Sequence, residues 1–148
     1  MRILGIDPGK ASGYSLIVLE GKTIVPTPKF GVDRDGELTS IRELIVEGVD
    51  HVVIEDFKVR PGNARRGNFD YDDMLTPRQI GRIEEICELT ETPYSKQQAS
   101  LKPPAYGFAG MKYSKGKKNQ HWQDAFAHAC YYAVKFHDAR PVKSSKKD

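Results

Sequence analysis

The run His51-Val-Val-Ile-Glu-Asp56 limits the possible folds more than any other feature of this sequence. Its three consecutive branched apolar residues predict a short strand that is covered on both faces, as in the interior of a parallel sheet. Segments with helical spacing precede and follow it, in residues 38–48, 76–91 and 121–137. Strands that alternate with helices in this way predict an α/β protein built around a mixed sheet.

The first third of the chain predicts further strands. Residues 2–7 form a short apolar run, and residues 14–19 followed by a run from Thr23 predict a β-hairpin. Because proline cannot donate to a strand ladder, Pro26 and Pro28 place the run from Thr23 at an edge of the sheet.

The second half of the chain predicts helices separated by long loops. Residues 58–75 and 99–120 are polar and glycine-bearing and are expected to be loops. Thr76 is expected to cap a helix whose first position is Pro77. The segment 121–137 is apolar almost all round, which predicts a largely buried helix.

Length and composition favour one domain that does not enter a membrane. We expect a domain in residues 1–138 and a basic, disordered tail in residues 139–148. No apolar run approaches the ~20 residues that cross a bilayer, and the strand pattern that starts at Met1 leaves no room for a signal peptide. Cys87 and Cys130 have neither metal-ligand spacing nor disulfide density, so we expect buried, reduced thiols.

Acidic residues stand where two of the predicted buried strands end. Asp7 ends the first strand and Glu55 ends the run from His51, whereas Asp56 should face the other way because side chains alternate along a strand. Asp7 alone could cap the turn that follows it, and Glu55 alone could pair with an arginine. Two such residues on neighbouring strands favour a shared site, because a buried carboxylate needs a partner or a metal.

The helix over residues 121–137 carries a third group of polar residues. His121, Asp124 and His128 share one face of this helix. An imidazole and a carboxylate at this spacing can bind one ion, and two strand-borne carboxylates would complete a metal pocket. Alternatively, Asp124 is a first-turn residue favoured by the helix dipole, and His128 is a hydrogen-bonded histidine of the core.

Taken together, three segments resemble the signature of RuvC-type Holliday junction resolvases, a family of the ribonuclease H-like superfamily. They are Gly5-Ile-Asp7-Pro-Gly9, Val53-Ile-Glu55 and His121-Trp-Gln-Asp124-Ala125, with Arg78-Gln-Ile-Gly81 in the matching order. The resemblance implies a ribonuclease H-like fold, in which a mixed five-stranded sheet is flanked by helices on both faces. It also implies that residues 1–138 form a single nuclease domain.

The same resemblance assigns a metal-dependent active site. Asp7, Glu55, His121 and Asp124 would be catalytic and would bind two Mg²⁺ or Mn²⁺ ions, with His121 either a ligand or a proton acceptor. Basic residues of two clusters would hold DNA phosphates, although solvated loop charge is the ordinary alternative. These residues are Arg60, Arg65, Arg66, Lys112, Lys115, Lys117 and Lys118.

Several aromatic residues lie near these clusters in the sequence. By the resemblance, Phe69 corresponds to an aromatic residue that wedges into the junction. Tyr106, Phe108 and Tyr113 could stack on bases or pack over the core.

The function implied by the resemblance is hydrolytic resolution of four-way DNA junctions. The protein would act as a homodimer through the helix in residues 76–91, without a small-molecule cofactor, in the cytoplasm of a bacterium or of a phage-infected host. Two alternatives stay open. One is a ribonuclease H-like nuclease that cuts other branched DNA or RNA–DNA hybrids, and the other is a nucleic-acid-binding module without catalysis.

Overall fold

A computed structural model describes residues 1–57, 71–115 and 121–144 of the chain, with residues 71–73 described as backbone only. The strands are β1 (Arg2–Asp7), β2 (Ser12–Glu20), β3 (Thr23–Asp33), β4 (His51–Asp56) and β5 (Tyr94–Gln98). The helices are α1 (Thr39–Glu47), α2 (Tyr71–Leu89), α3 (Lys102–Phe108) and α4 (His121–His137). None of these helices has the length and apolar character that crossing a membrane requires.

The five strands form one mixed sheet in the order β3-β2-β1-β4-β5. β2 pairs antiparallel with both β1 and β3, whereas β4 pairs parallel with both β1 and β5. The predicted interior position of β4 is confirmed, because Val52, Val53 and Ile54 have no exposed surface. The hairpin is confirmed as well, with the proline-bearing strand β3 at the sheet edge.

Helices cover both faces of the sheet, as predicted. Neighbouring residues of β1 point to opposite faces: Ile3 packs with α3 and α4, and Leu4 packs with α1 and α2. Cys87 and Cys130 are buried free thiols in these two layers, as expected.

Glycines let α4 approach the sheet closely. A Cβ atom added at Gly5 in β1 would lie 2.0 Å from the backbone oxygen of Ala125, and one added at Gly13 in β2 would lie 2.2 Å from the carbonyl carbon of His121. A real Cβ atom would clash at such distances. Both positions therefore require glycine as long as α4 keeps its position on the sheet. The close approach brings the first turn of α4 over the ends of β1 and β2.

The predicted start of the second helix is wrong. α2 begins at Tyr71, and Pro77 lies inside it instead of at its first position. A hydroxyl residue followed by proline is the usual composition of a helix start, but proline is also found inside helices at the loss of one backbone hydrogen bond. Of the predicted loop 58–75, residues 71–75 are therefore helical, and residues 58–70 lie outside the described part of the chain.

The predicted loop over residues 99–120 is also wrong in part. A 3₁₀ turn covers Ala99–Leu101 and leads into α3, which has prolines in its first turn. The polar, glycine-bearing composition led to the prediction of a loop, yet Pro103 and Pro104 are compatible with a first helical turn, where the missing N–H has no partner to lose. Residues 116–120 lie outside the described residues.

The predicted disorder of residues 139–148 is contradicted as far as residue 144. The backbone N–H of Arg140 donates to the carbonyl of Lys22, and that of Val142 donates to the carbonyl of Phe108, each at 2.8 Å. Ala139 is only 5% exposed and belongs to the core. A basic composition predicted a solvated tail, but backbone hydrogen bonds do not depend on composition, and they hold this segment against the protein.

Candidate metal and active site

Three carboxylates meet at the carboxyl ends of the two central strands. Asp7 ends β1, Glu55 lies on the neighbouring end of β4, and Asp124 lies in the first turn of α4. One oxygen atom from each residue lies within 4.8 Å of the other two. Residues that are remote in sequence therefore form a compact acidic group.

The negative charges of these three carboxylates repel one another. Burial is the main cause that raises the pKa of Asp7 well above its ordinary value, and the charges of Glu55 and Asp124 raise it further. A hydrogen bond with His121 offsets this rise only in part. A cation placed among the three oxygens would relieve the repulsion.

Glu55 has the opposite electrostatic environment. Burial alone would raise its pKa, but the neighbouring His128, the Asp7 carboxyl and the Lys102 ammonium together lower it to about 2. Its Oε2 atom is buried and has no hydrogen-bond partner among the described residues. A buried, ionised oxygen without a partner fits a metal ligand. Carboxylate oxygens, which all three residues offer, are the hard donors that Mg²⁺ and Mn²⁺ prefer.

His128 lies behind Glu55 in the core. It is fully buried, and its Nδ1 atom lies 2.8 Å from Oε1 of Gln97 on β5. Its Nε2 atom lies 3.7 Å from Oε2 of Glu55, which is too long for a hydrogen bond. The alternative of a hydrogen-bonded core histidine therefore describes its place, and its influence on Glu55 is electrostatic.

Lys102 is the site residue that the sequence reasoning missed. Its Nζ atom lies 2.9 Å from Oε1 of Glu55 and 3.4 Å from Oδ2 of Asp124. Burial acts to lower the pKa of Lys102, but the charge of Glu55 and then that of Asp124 raise it. The ammonium thus provides positive charge between two carboxylates. Only its place directly before two prolines, which can begin a helix, could have indicated Lys102, and the whole segment 99–120 was predicted to be a loop.

Tyr106 of α3 supports the third carboxylate. It is 1% exposed, and its hydroxyl donates a hydrogen bond to Oδ1 of Asp124. Burial, followed by this contact, raises its pKa. Tyr113 packs edge-on against its ring at a centroid distance of 5.3 Å. Of the two roles considered for Tyr106, packing in the core is therefore the correct one.

His121 contacts the group from its solvent side. Its Nδ1 atom lies 3.2 Å from Oδ2 of Asp7, and its side chain is 53% exposed. The hydrogen bond with Asp7 is the main cause that raises its pKa. The imidazole therefore touches the edge of the acidic group and remains accessible to a bound molecule. Asp56 turns away, and its Oδ1 accepts a hydrogen bond from the backbone N–H of Phe57 at 2.9 Å.

Two clefts are lined in part by residues that contact the acidic group, His121 in one and Tyr106 in the other. One, of about 460 Å³, is lined by Lys10 and Arg34 together with Thr76 and His121. The other, of about 390 Å³, lies beside Tyr106. The sequence reasoning did not single out the two basic residues of the first cleft, because they stand alone in the chain.

The predicted nucleic-acid-binding residues are only partly visible. Lys112 lines the cleft beside Tyr106, and Lys115 is exposed nearby in the chain. The others lie outside the described residues: Arg60, Arg65, Arg66, Phe69, Lys117 and Lys118.

No protein-family model and no curated protein matches the chain by sequence. Solved structures do match it. The chain is similar to RuvC from Thermus thermophilus in complex with a Holliday junction substrate, with a TM-score of 0.64 and 15% identity over 96% of this chain and 99% of that one. A further Thermus thermophilus RuvC structure has a TM-score of 0.60 and 18% identity over 96% of this chain and 100% of that one.

A viral protein shares the same architecture. The Fowlpox virus resolvase, solved with its Holliday junction DNA, matches with a TM-score of 0.55 and 14% identity over 89% of this chain and 96% of that one. The predicted ribonuclease H-like fold is confirmed by these similarities.

Proposed function

We propose that this protein is a metal-dependent endonuclease that resolves four-way DNA junctions by hydrolysing phosphodiester bonds. The observation that carries the proposal is the meeting of Asp7, Glu55 and Asp124 within 4.8 Å at the carboxyl ends of β1 and β4. The shared fold supports it, because the matching Thermus thermophilus and Fowlpox virus proteins were solved with junction DNA. By its resemblance to RuvC-type resolvases, the protein would act in the cytoplasm.

The three carboxylates and His121 are the proposed metal-binding residues. Two bound Mg²⁺ or Mn²⁺ ions would lower the pKa of the attacking water and stabilise the leaving oxygen. Asp7, Glu55 and Asp124 would hold the ions through their carboxylate oxygens. His121, exposed and in contact with Asp7, would either complete the ligand set or accept the proton of the attacking water.

Other residues of the site hold these groups in place. Tyr106 fixes Asp124 through its hydroxyl, and Lys102 neutralises Glu55 and Asp124 in the metal-free protein. If bound cations supplied that neutralisation, the ammonium of Lys102, whose side chain is 23% exposed, would be free to contact a phosphate.

DNA binding would rest on basic residues around the site. Lys112 and Lys115 are the described members, and the remaining predicted residues lie in the segments 58–70 and 116–120. Such residues hold phosphates without reading the bases, which suits an enzyme that recognises branch shape. The nuclease domain would extend to residue 144, since the chain is packed up to that point.

A homodimer would present two active sites to a junction with two-fold symmetry. The predicted interface helix carries Leu89, which is 77% exposed, and the neighbouring α1 carries Val46, which is 65% exposed. Arg42 and Arg82 lie beside them around a shallow groove. An apolar patch with a charged rim fits a second copy of the chain. Light scattering measures the molar mass of the protein alone and of its complex with junction DNA. A mass of one chain alone, and of one chain per junction in the complex, would contradict the dimer.

Cleavage assays with matched substrates test the proposal. The full chain is incubated in Mg²⁺ with a four-way junction, a flap, an RNA–DNA hybrid and a linear duplex of the same sequence. We expect the junction to be cut fastest, and cutting to vanish in Asp7→Asn. If the flap or the hybrid were cut faster than the junction, that molecule would be the substrate and the junction proposal would be wrong. Binding without cutting in either Mg²⁺ or Mn²⁺ would instead indicate a non-catalytic module.

A further inference from the structure

We infer that Phe30 and Trp122 form a stacking platform that receives an unpaired base beside the cleavage site. The two rings are in contact, with centroids 4.7 Å apart and planes tilted by 39°. Phe30 is 46% exposed on the edge strand β3. This inference rests on the proposed nuclease function, because it names how the same site would recognise its substrate.

The strand register places the pair on the same face as the acidic group. Asp7 pairs with Gly13 across β1 and β2, whereas Gly5 pairs with Ser15, which in turn pairs with Phe30. Paired residues and residues two apart along a strand share a face, so Phe30 and Asp7 lie on one side of the sheet. Two strand spacings and two residues along a strand separate them by roughly 12 Å between Cα atoms.

The first turn of α4 connects the acidic group with the Phe30–Trp122 pair. Because Gly13 has no side chain, the backbone of His121 lies directly on β2. From there His121 reaches Asp7, and the next residue, Trp122, reaches Phe30. An aromatic surface therefore begins one residue away from the imidazole that faces the acidic group.

The surrounding charge favours a nucleic acid over an apolar partner. The cleft that His121 also lines carries Lys10 and Arg34. Asp35 is the acidic residue of that cleft. Phosphates held by the basic side chains would leave a neighbouring base free to stack, and stacking accepts every base because each has a π face. Bases at a branch point have lost a stacking neighbour and are the natural occupants.

Trp122 is the single tryptophan of the chain, so its fluorescence reports on the platform directly. The full chain with Glu55→Gln, which we expect to bind without cutting, is titrated in Mg²⁺ with a four-way junction and with a linear duplex. We expect the junction to quench the emission strongly and the duplex to quench it at least about threefold less.

Affinity measurements with matched variants complete the test. Phe30→Ala should weaken junction binding by about 5- to 100-fold, as loss of base stacking does elsewhere. Phe30→Leu keeps an apolar contact with Trp122 and should leave the melting temperature unchanged while it still weakens binding. Phe136→Ala removes another exposed phenylalanine, 67% exposed near the far end of α4, and should bind as the unmodified protein does.

Unchanged Trp122 emission at saturating junction, or unchanged affinity in Phe30→Ala, would overturn the platform while cleavage by the unmodified protein left the nuclease function intact. Failure of the unmodified protein to bind any of the DNA substrates would overturn the proposed function and the platform together.

Discussion

At the scale of single residues, the proposed nuclease activity depends on which carboxylates face the site. Glu55→Gln and Asp124→Asn each remove one charge from the group but keep the size of the side chain. We expect both variants to bind a four-way junction and to cut it at least about a hundredfold more slowly, as loss of a metal ligand does. Gel-shift and cleavage assays in Mg²⁺ measure the two effects separately.

Asp56→Asn is the matched control for these substitutions. Asp56 neighbours Glu55 in sequence, but it accepts a hydrogen bond from its own loop at Phe57 and stays outside the acidic group. We expect it to cut at nearly the normal rate. Normal cutting by Glu55→Gln or Asp124→Asn would remove that residue from the proposed ligand set.

A second prediction concerns the ammonium of Lys102, which lies between Glu55 and Asp124. In EDTA, Lys102→Met leaves those charges without neutralisation and should destabilise the protein by about 1–3 kcal/mol. Saturating Mg²⁺ should reduce the loss, because a cation then takes over the neutralisation. Thermal melts of both proteins with and without Mg²⁺ measure the difference.

Lys96→Met serves as the control for Lys102→Met. Lys96 pairs with Glu84 at 3.7 Å on the surface and is 40% exposed, so its loss should change stability by less than about 1 kcal/mol. If Lys102→Met lost the same amount of stability in EDTA and in Mg²⁺, then a bound cation would not take over the neutralisation that the Lys102 ammonium provides.

The sequence allowed Asp7 and Glu55 to be found, because an acidic residue at the end of a buried strand contradicts the local pattern, and Asp124 because it shares a helix face with His121. It did not reveal Lys102, nor the contact of Tyr106 with Asp124. Their roles depend on how α3 lies against Asp124, and no local pattern in residues 99–115 encodes that arrangement. Gln97 was missed for the same reason, because its buried partner His128 is brought to it by the fold.

At the scale of elements, the site depends on how closely α4 lies on β1 and β2. A Cβ at Gly13 would lie 2.2 Å from His121, so Gly13→Ala must displace the first turn of α4. We expect a loss of about 1–3 kcal/mol or more in the free energy of unfolding, together with loss of cutting. Circular dichroism melts and the junction assay provide the two readouts.

Gly81→Ala is the control, since a Cβ there meets nothing within 4 Å in the middle of α2. It should stabilise the protein by roughly 0.5–1 kcal/mol, as alanine does in a helix interior. A Gly13→Ala protein as stable and active as the unmodified one would mean that α4 does not need its close approach.

Elements with a strong period and the proline-bearing edge strand β3 were predicted correctly, whereas the two helices that contain proline were not. The buried run in β4 and the apolar helix α4 have patterns that packing enforces on both sides. The start of α2 and the whole of α3 contain prolines, whose effect depends on their position within a turn. The segment 139–144 was missed because backbone hydrogen bonds, not apolar side chains alone, hold it in place.

At the scale of the whole molecule, we expect the acidic group to couple folding to metal binding. The raised pKa of Asp7 means that the folded protein binds its proton more tightly than the unfolded chain does. The Asp7 contribution to stability therefore falls as pH rises from its ordinary pKa through the raised value. Asp7→Asn removes this cost and should melt higher than the unmodified protein at pH 7 in EDTA.

Divalent metal should reverse that order. Mg²⁺ at about 100 times its dissociation constant should stabilise the unmodified protein by roughly 2.7 kcal/mol. In Asp7→Asn the gain should be much smaller, because one ligand has lost its charge. Melting curves in EDTA and in a Mg²⁺ series measure both effects, and equal metal stabilisation of the two proteins would contradict the role of Asp7.

The most direct measurement is anomalous diffraction from crystals of the unmodified protein grown with Mn²⁺. We predict anomalous peaks about 2.1 Å from oxygens of Asp7, Glu55 and Asp124, with the Lys102 ammonium moved away from them. An acidic group without a peak at millimolar Mn²⁺, with Lys102 still bridging Glu55 and Asp124, would contradict the metal-dependent nuclease.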